Sequence, residues 1–422
     1  MEHKPSQDRR ENCDTPSERD AFSVAEARRR LLDAVSPLSA KESIRLKEGL
    51  ARIVAETVSA PFDVPPHANS AVDGYAVRSV DLPKQGRCRL TVIGTAMAGT
   101  PYRGEMAAGH CVRIMTGGVL PRGCDTVIMQ EQAERVGDTI NVGNDHSAGQ
   151  HVRRAGEDLS AGQTVIAAGK RLTPADLGLL ASLGMDAVSV TRRPRVAFFS
   201  TGDELRTSGE PLDEGAIYDS NRYTLYGLLL QTGAEPLDLG VVRDRREALR
   251  ETLAKAAAQA DAVITTGGVS VGDADFVRDT LAELGEVFFW KVGMKPGRPF
   301  AFGRIAQTWF FGLPGNPVSA MATYYQFVQP ALRRMMGERE RSPLHFKVPC
   351  ATTLKKAPGR MEFQRGVLET NSEGKTVVRS TGEQGSHILR SMSEADCFII
   401  LPAESGDVPA GTLVDVQPFA VL

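Results

Sequence analysis

Residues 262–285 read AVITTGGVSVGDADFVRDTLAELG. The uncharged run Ala262–Thr266 has the composition of a buried strand, the Gly-rich stretch Thr265–Asp275 that of a loop, and Asp273–Leu284 that of a helix stopped by Gly285. The same alternation extends outward. Val196–Ser200 reads as a strand and Asn221–Thr232 as a helix capped by Ser220 and ended by Gly233. Leu237–Val242 is a strand, and Asp244 opens a helix to about Ala260. Val287–Val292, Phe300–Phe302 and Trp309–Leu313 read as strands, and Pro317–Met336 as one long helix. Near-continuous apolar strands between amphipathic helices predict an α/β domain, doubly wound around a largely parallel sheet covered on both faces.

At 422 residues the chain exceeds one ordinary domain. Residues 1–21 are polar and aperiodic and read as a disordered tail. Ser23 caps a helix in which Ala25, Leu31, Leu32 and Val35 recur at helical spacing, and a second helix is expected over Lys41–Ala51. Short alternating runs in 61–157 predict a small β domain, and 22–60 with 158–192 a helical/β linker subdomain that includes a helix at Pro174–Leu183 ended by Gly184. The α/β domain spans 193–341. Helices stop after Arg341, and 342–422 reads as a β-barrel domain. The expected chain is multidomain, with β-rich modules flanking the α/β centre.

Fifty basic residues balance 52 acidic ones, which disfavours nucleic acid or a membrane as partner. No apolar stretch of roughly 18 residues is present to span a bilayer. Six cysteines form no C-x-x-C pair, so neither a zinc site nor a disulfide framework is expected, and the reading is a reducing cytoplasm.

In open α/β sheets ligands bind beyond the carboxyl ends of the strands. Two loops meet there: Thr265–Asp275, with Gly267, Gly268 and Ser270, and Pro314-Gly315-Asn316-Pro317, with Asn316 as cap and Pro317 at the first helical position. Both feed helix N-termini, where backbone N–H groups favour anions. A tight strand–helix turn would explain either loop alone; two at one rim favour an anion site. Neither matches the Walker A or dinucleotide pattern. Asp203, Glu204, Asp244, Asp273 and Asp275 crowd this rim, and carboxylates beside phosphate suit Mg²⁺. Asp244 and Asp273 could equally be helix caps. Lys291, Lys295 and Arg298 lie within eight residues and suit oxyanions. By residue chemistry alone, Asp73, Thr116 and Asp158 belong to turns and strand ends, while Arg365 and Ser386 are available donors.

The motifs NSAVDGYAV, RIMTGG, GEDL, STGDEL, YDSN, TTGGVSVGDADF, KPGRPFAFG, LPGNPVSA, FQRG and GSH follow in order from Asn69 to His387. In this the chain closely resembles the molybdopterin molybdenumtransferase family, to which one half of gephyrin is related. The resemblance implies an elongated homodimer of four-subdomain chains that joins molybdate to adenylylated molybdopterin with release of AMP, assisted by Mg²⁺, with the preceding adenylyltransferase as a candidate partner. It implies functional roles for Asp73, Thr116, Asp158, Glu204, Asp244, Asp275, Lys291, Lys295, Arg365 and Ser386, with Asp273 a further Mg²⁺ ligand beside Asp244 and Asp275. Lys295, Arg365 and Ser386 suit molybdate, a tetrahedral dianion that needs donors. Arg298 stands where lysine is frequent and keeps the charge. The alternatives are molybdopterin adenylyltransferase, usually a single domain, and a non-catalytic scaffold of the gephyrin kind.

Overall fold

The computed structural model describes residues 21–268, 280–281, 283–340 and 342–419. The chain divides into two compact units. One combines the segment up to Glu42 with Thr191–Leu422; the other is Ser43–Val190.

The larger unit is built on a six-stranded sheet. Its order is Glu235–Val242, Arg195–Thr201, Ala262–Thr266, Thr308–Leu313, Pro299–Ile305, Gly285–Lys291. The first three pairings are parallel, and the last two are antiparallel. The physical reason lies in the connections. Only Ala306 and Gln307 separate Pro299–Ile305 from Thr308–Leu313, with Ala306 at φ 52°. A two-residue link can join antiparallel strands but not cross over a sheet. Alternation sends Val196, Phe198 and Ile264 to one face and Ala197, Phe199 and Val263 to the other. The first face packs on helices Val24–Ala34, Ser220–Thr232 and the segment from Pro317; the second packs on Arg246–Gln259.

Several expectations change in detail. The apolar stripe of the first helix is Val24, Ala27, Leu31 and Val35, and Ala25 is exposed. Ser23 does cap it, accepting from Glu26 N–H. The helix at Ser220–Thr232 is capped by Asp219, which accepts from Arg222 N–H, with Ser220 already inside; Gly233 ends it at φ 99°. Gly285 does follow the last helical residue, Leu284, but without left-handed backbone. It opens a strand, and a Cβ there would lie 1.9 Å from the Arg304 carbonyl oxygen. The expected long helix is α-helical at Pro317–Thr323, a π turn at Tyr324–Val328, and α-helical again at Gln329–Met335. Pro330 has no N–H for the Gln326 carbonyl. Arg28 Nε donates to that oxygen instead, at 3.1 Å, while its other nitrogen meets the Gln326 side chain.

The C-terminal sheet runs Met294–Lys295, Met361–Thr370, Cys397–Leu401, Leu413–Pro418, Phe346–Pro349, with Thr376–Ser380 paired to Met361–Thr370. Helices do not stop entirely after Arg341, since Arg390–Glu394 forms a short one.

In the smaller unit a six-stranded sheet runs Thr126–Met129, Gly74–Val77, His110–Ile114, Cys88–Ala96, Thr139–Val142, Ala133–Val136. The helix expected over Lys41–Ala51 is instead a strand, Lys41–Arg45, followed by a 3₁₀ turn at Leu46–Glu48. The segment lacks an apolar stripe: Leu46 is buried while Leu50 is exposed. Pairing with Ala187–Thr191 therefore prevails over helix propensity. Pro174–Ser182 is the helix expected there, and Gly184 follows it at φ 73°.

Candidate active site

The carboxyl rim of the larger sheet brings the two glycine loops into contact. Gly267 N–H donates to the Leu313 carbonyl at 3.1 Å. Gly267 and Gly268 both take left-handed backbone, at φ 89° and 66°, and a Cβ on Gly267 would lie 2.7 Å from the Thr201 carbonyl oxygen. A Cβ on Gly315 would touch Gly267 Cα at 3.7 Å, so the loops abut as bare backbone. Asn221 Nδ2 holds the Gly315 carbonyl at 2.7 Å, which leaves Asn221 Oδ1 buried without a partner. The hydroxyls of Thr201 and Thr265 are likewise buried and unpartnered, as polar atoms at a ligand site can be. Pro314 is buried. Asn316 occupies the cap position before Pro317, but its exposed side chain makes no capping bond. Ser270, Asp273 and Asp275 lie outside the described residues.

At the same rim Glu204 folds its carboxylate back over Gly202, where both oxygens approach within 2.7 Å of the place a Cβ would take. The helix after Glu235–Val242 begins at Arg246 with Arg245 at the cap position, so Asp244 is not spent on capping. Partial withdrawal from solvent, and then the charges of Asp203 and Glu204, push the Asp244 carboxyl above the usual carboxylate range. Since its residue surface is largely exposed, the like-charge crowding is the cause that matters for function. Such crowding fits a divalent cation in charge. Yet among the described residues no group of three or more His, Cys, Asp or Glu is arranged to hold a metal ion. No chemical step below is therefore routed through one.

The crowding yields a prediction. A carboxyl whose folded pKa is raised weakens the fold above that pKa and stops doing so as pH falls through it. Asp244→Asn should raise the melting temperature at neutral pH by about 1 °C, the exposure keeping the gain small. Activity in the same preparation should fall by about tenfold or more. Scanning calorimetry beside a turnover assay reads both.

The basic residues gather in the larger unit as well. Lys291 ends the strand Gly285–Lys291. Lys295 pairs with Glu362 Oε1 at 3.0 Å, its side chain 48% exposed and that of Glu362 5%. Arg298 is half-buried and lines a cavity of about 230 Å³ with Phe22, Ser23 and Arg360. Arg365 is fully buried. Its Nε donates to Ser391 Oγ at 3.0 Å and a terminal nitrogen to the Gly385 carbonyl at 3.2 Å; burial pulls its pKa down to about 10, so it stays charged at neutral pH. The Ser386 carbonyl accepts from Val318 N–H at 3.1 Å. That bond docks the loop held by Arg365 onto the helix that follows Pro314-Gly315-Asn316. The sheet-rim loop and the C-terminal loop thus form one surface.

Asp73, Thr116 and Asp158 belong to the smaller unit. Asp73 Oδ1 accepts from both Thr116 N–H and Thr116 Oγ1 at 2.7 Å. These bonds, backbone first, hold its carboxyl below the usual range. The tether is complete at neutral pH and loosens only as pH falls through that lowered value. Asp158 is exposed in the turn after Gly156, its N–H bonded to the Val64 carbonyl at 3.0 Å.

Three family regions match the chain in order: the MoeA N-terminal region (domain I and II) over 22–184, a probable molybdopterin binding domain over 197–334, and the MoeA C-terminal region (domain IV) over 347–419. A molybdopterin molybdenumtransferase of Haemophilus influenzae is 45% identical over 400 residues, covering 94% of this chain and 98% of that protein. The chain belongs to the molybdopterin molybdenumtransferase family. A molybdopterin biosynthesis moeA protein from Pyrococcus horikoshii superposes with a TM-score of 0.84 at 32% identity, over 94% of this chain and 100% of that one. Gephyrin of Dictyostelium discoideum is 31% identical over 88% of this chain and 58% of its own length. By family the chain is a transferase, and no described helix is long and apolar enough to cross a membrane.

Sequence reasoning passed over three residues of this molybdenumtransferase-family site: Thr201, Asn221 and Glu362. Asn221 was signalled by the YDSN motif and Thr201 by its place at a strand end. Glu362 carried no signal, because an acid beside an apolar strand residue reads as an ordinary exposed position.

Proposed function

We propose that the chain inserts molybdenum from molybdate into adenylylated molybdopterin, releasing AMP and leaving molybdenum cofactor. The observation that carries this reading is the continuous surface in which the Gly267–Gly315 contact, Val318–Ser386 and the Arg365-held loop meet. Backbone N–H groups and neutral hydroxyls suit the phosphates and pterin, and cations beside them suit a second, smaller oxyanion. Lys295 and Ser386 hold molybdate, with Arg365 fixing the loop that presents Ser386. Lys291 and Arg298 steady phosphate charge. Gly267, Gly268, Ser270, Pro314, Gly315 and Asn316 cradle the adenylylated ligand. Glu204 adds an acid to this rim, and Asp73, Thr116 and Asp158 are assigned functional roles on the smaller unit.

The pterin's two thiols bond molybdenum as an oxo ligand of molybdate leaves as water, and a water cleaves the anhydride to AMP, so no side-chain nucleophile is required. Asp244, with Asp273 and Asp275, would hold Mg²⁺, which would supply charge neutralisation beside the phosphates. The five described cysteines are all unpaired, in keeping with a reducing cytoplasm.

The test is AMP release by the purified chain from adenylylated molybdopterin. Release that depends on molybdate is the expected result. Consumption of ATP with formation of adenylylated molybdopterin would point to the adenylyltransferase reading, and no release under any condition would leave the scaffold reading.

Helix Ser220–Thr232 exposes Tyr223, Tyr226 and Leu230 at i, i+3 and i+7, beside exposed Ile217 and Tyr218. A contiguous aromatic face of this kind marks a protein interface. It supports the homodimer implied by the family resemblance, with the preceding adenylyltransferase as a transient donor of substrate. Tyr226→Asp should convert the species seen by light scattering from dimer to monomer, with a dissociation constant raised at least about 100-fold.

A further inference from the structure

Two cations of the proposed oxyanion site share one buried counter-charge. The short strand Met294–Lys295 pairs in parallel with Met361–Glu362, Lys295 directly opposite Glu362. That register aims Lys295 Nζ at Glu362 Oε1, 3.0 Å away. Glu362 Oε2 accepts from Gln364 Nε2 at 3.0 Å, and the same Nε2 donates to the Lys355 carbonyl at 2.8 Å, so the carboxylate is held on its far side. Glu362 is 4% exposed. Its charge also acts on Arg365, opposing the drop that burial imposes there.

An ammonium has three donors, and Glu362 takes one. Lys295 is half exposed, so its other donors remain open to a second oxyanion without breaking the pair. We propose that Glu362 is a positioning residue that holds Lys295 in place and offsets part of the positive charge of Lys295 and Arg365, lowering the site's affinity for tetrahedral anions in general. An offset site binds its anion more weakly, and it lets the anion move on to the sulfurs. This rests on the reading that Lys295 and Arg365 serve the oxyanion.

Titration calorimetry of the full chain with molybdate, and separately with sulfate, tests it at constant ionic strength. Glu362→Gln keeps size and removes the charge; both dissociation constants should fall, by about fivefold. Unchanged or weaker binding of both anions would overturn the proposal. Glu362→Asp guards against a folding failure. It keeps the charge but withdraws the carboxylate by one methylene, so molybdate affinity should stay within about twofold while turnover falls at least about fivefold. Wild-type turnover in Glu362→Asp would overturn the positioning role. Lys295→Ala separates the two layers. If it leaves molybdate binding intact, the oxyanion reading itself fails; if it abolishes binding while Glu362→Gln changes nothing, only the present inference fails.

Discussion

Lys295→Ala is expected to lower molybdate-dependent AMP release by about 10²–10³, the usual loss when one charge-stabilising donor is removed from a reacting site. The same change should also weaken the fold. It leaves the Glu362 carboxylate buried with Gln364 but without its cation. Breaking a fully buried pair costs about 3–5 kcal/mol. Because Lys295 is half exposed and water can partly replace it, about 1–2 kcal/mol is the reasonable share. A melting temperature lower by roughly 3 °C follows. Adding Glu362→Gln should restore the melting temperature, since no buried charge is then left alone, but should not restore turnover. Recovery of both would mean that Lys295 acts only through stability, and the assigned role would be wrong.

Gly74→Ala should be the most damaging single methyl in the smaller unit. A Cβ at Gly74 would lie 1.9 Å from the Ile128 carbonyl oxygen and 2.9 Å from its carbon. Both are backbone atoms of a paired strand, so neither can swing aside. Gly74–Val77 is an inner strand between Thr126–Met129 and His110–Ile114, and either pairing must open. About 4 kcal/mol or more of destabilisation is expected, as for other severe backbone clashes. Activity should fall with it, because Asp73 is the preceding residue and its tether to Thr116 depends on this strand end. The two tryptophans of the chain, Trp290 and Trp309, both lie in the larger unit. Far-UV dichroism in urea should therefore show an early transition that tryptophan fluorescence does not. Coincident transitions, or an unshifted dichroism curve, would contradict this account.

Much of the architecture was legible because it is decided locally. The apolar runs around Val196–Ser200, Ala262–Thr266 and Trp309–Leu313 are long enough to read as buried strands, and all three are. Gly184 and Gly233 end their helices in left-handed backbone, as their positions imply. The Gly267–Gly315 contact and the crowding of Asp203, Glu204 and Asp244 were legible for a related reason. Anion and metal chemistry restricts residue types, and the rim rule restricts where they stand.

Other features depended on partners far along the chain. Lys41–Arg45 has the composition of a helix and becomes a strand because Ala187–Thr191 offers it a pairing edge. Pro317–Met336 reads as one helix, yet it passes through a π turn where Arg28, 298 residues from Gln326, satisfies the carbonyl that Pro330 cannot. Asp244 reads equally well as a cap or a free acid, and the helix start at Arg246 leaves it free. Arg365 reads as an available donor and is instead buried, holding the loop that carries Ser386. The pairing of Lys295 with Glu362 spans 67 residues.

By itself, then, the sequence determined which segments of the α/β domain alternate as strand and helix, and which residues have the chemistry to meet an oxyanion. Those properties arise within a turn or two of chain, where propensity and spacing act. Only the tertiary structure decided which polar group each charge faces. That depends on burial and on strand register, and both are set by contacts between residues that the chain itself holds far apart.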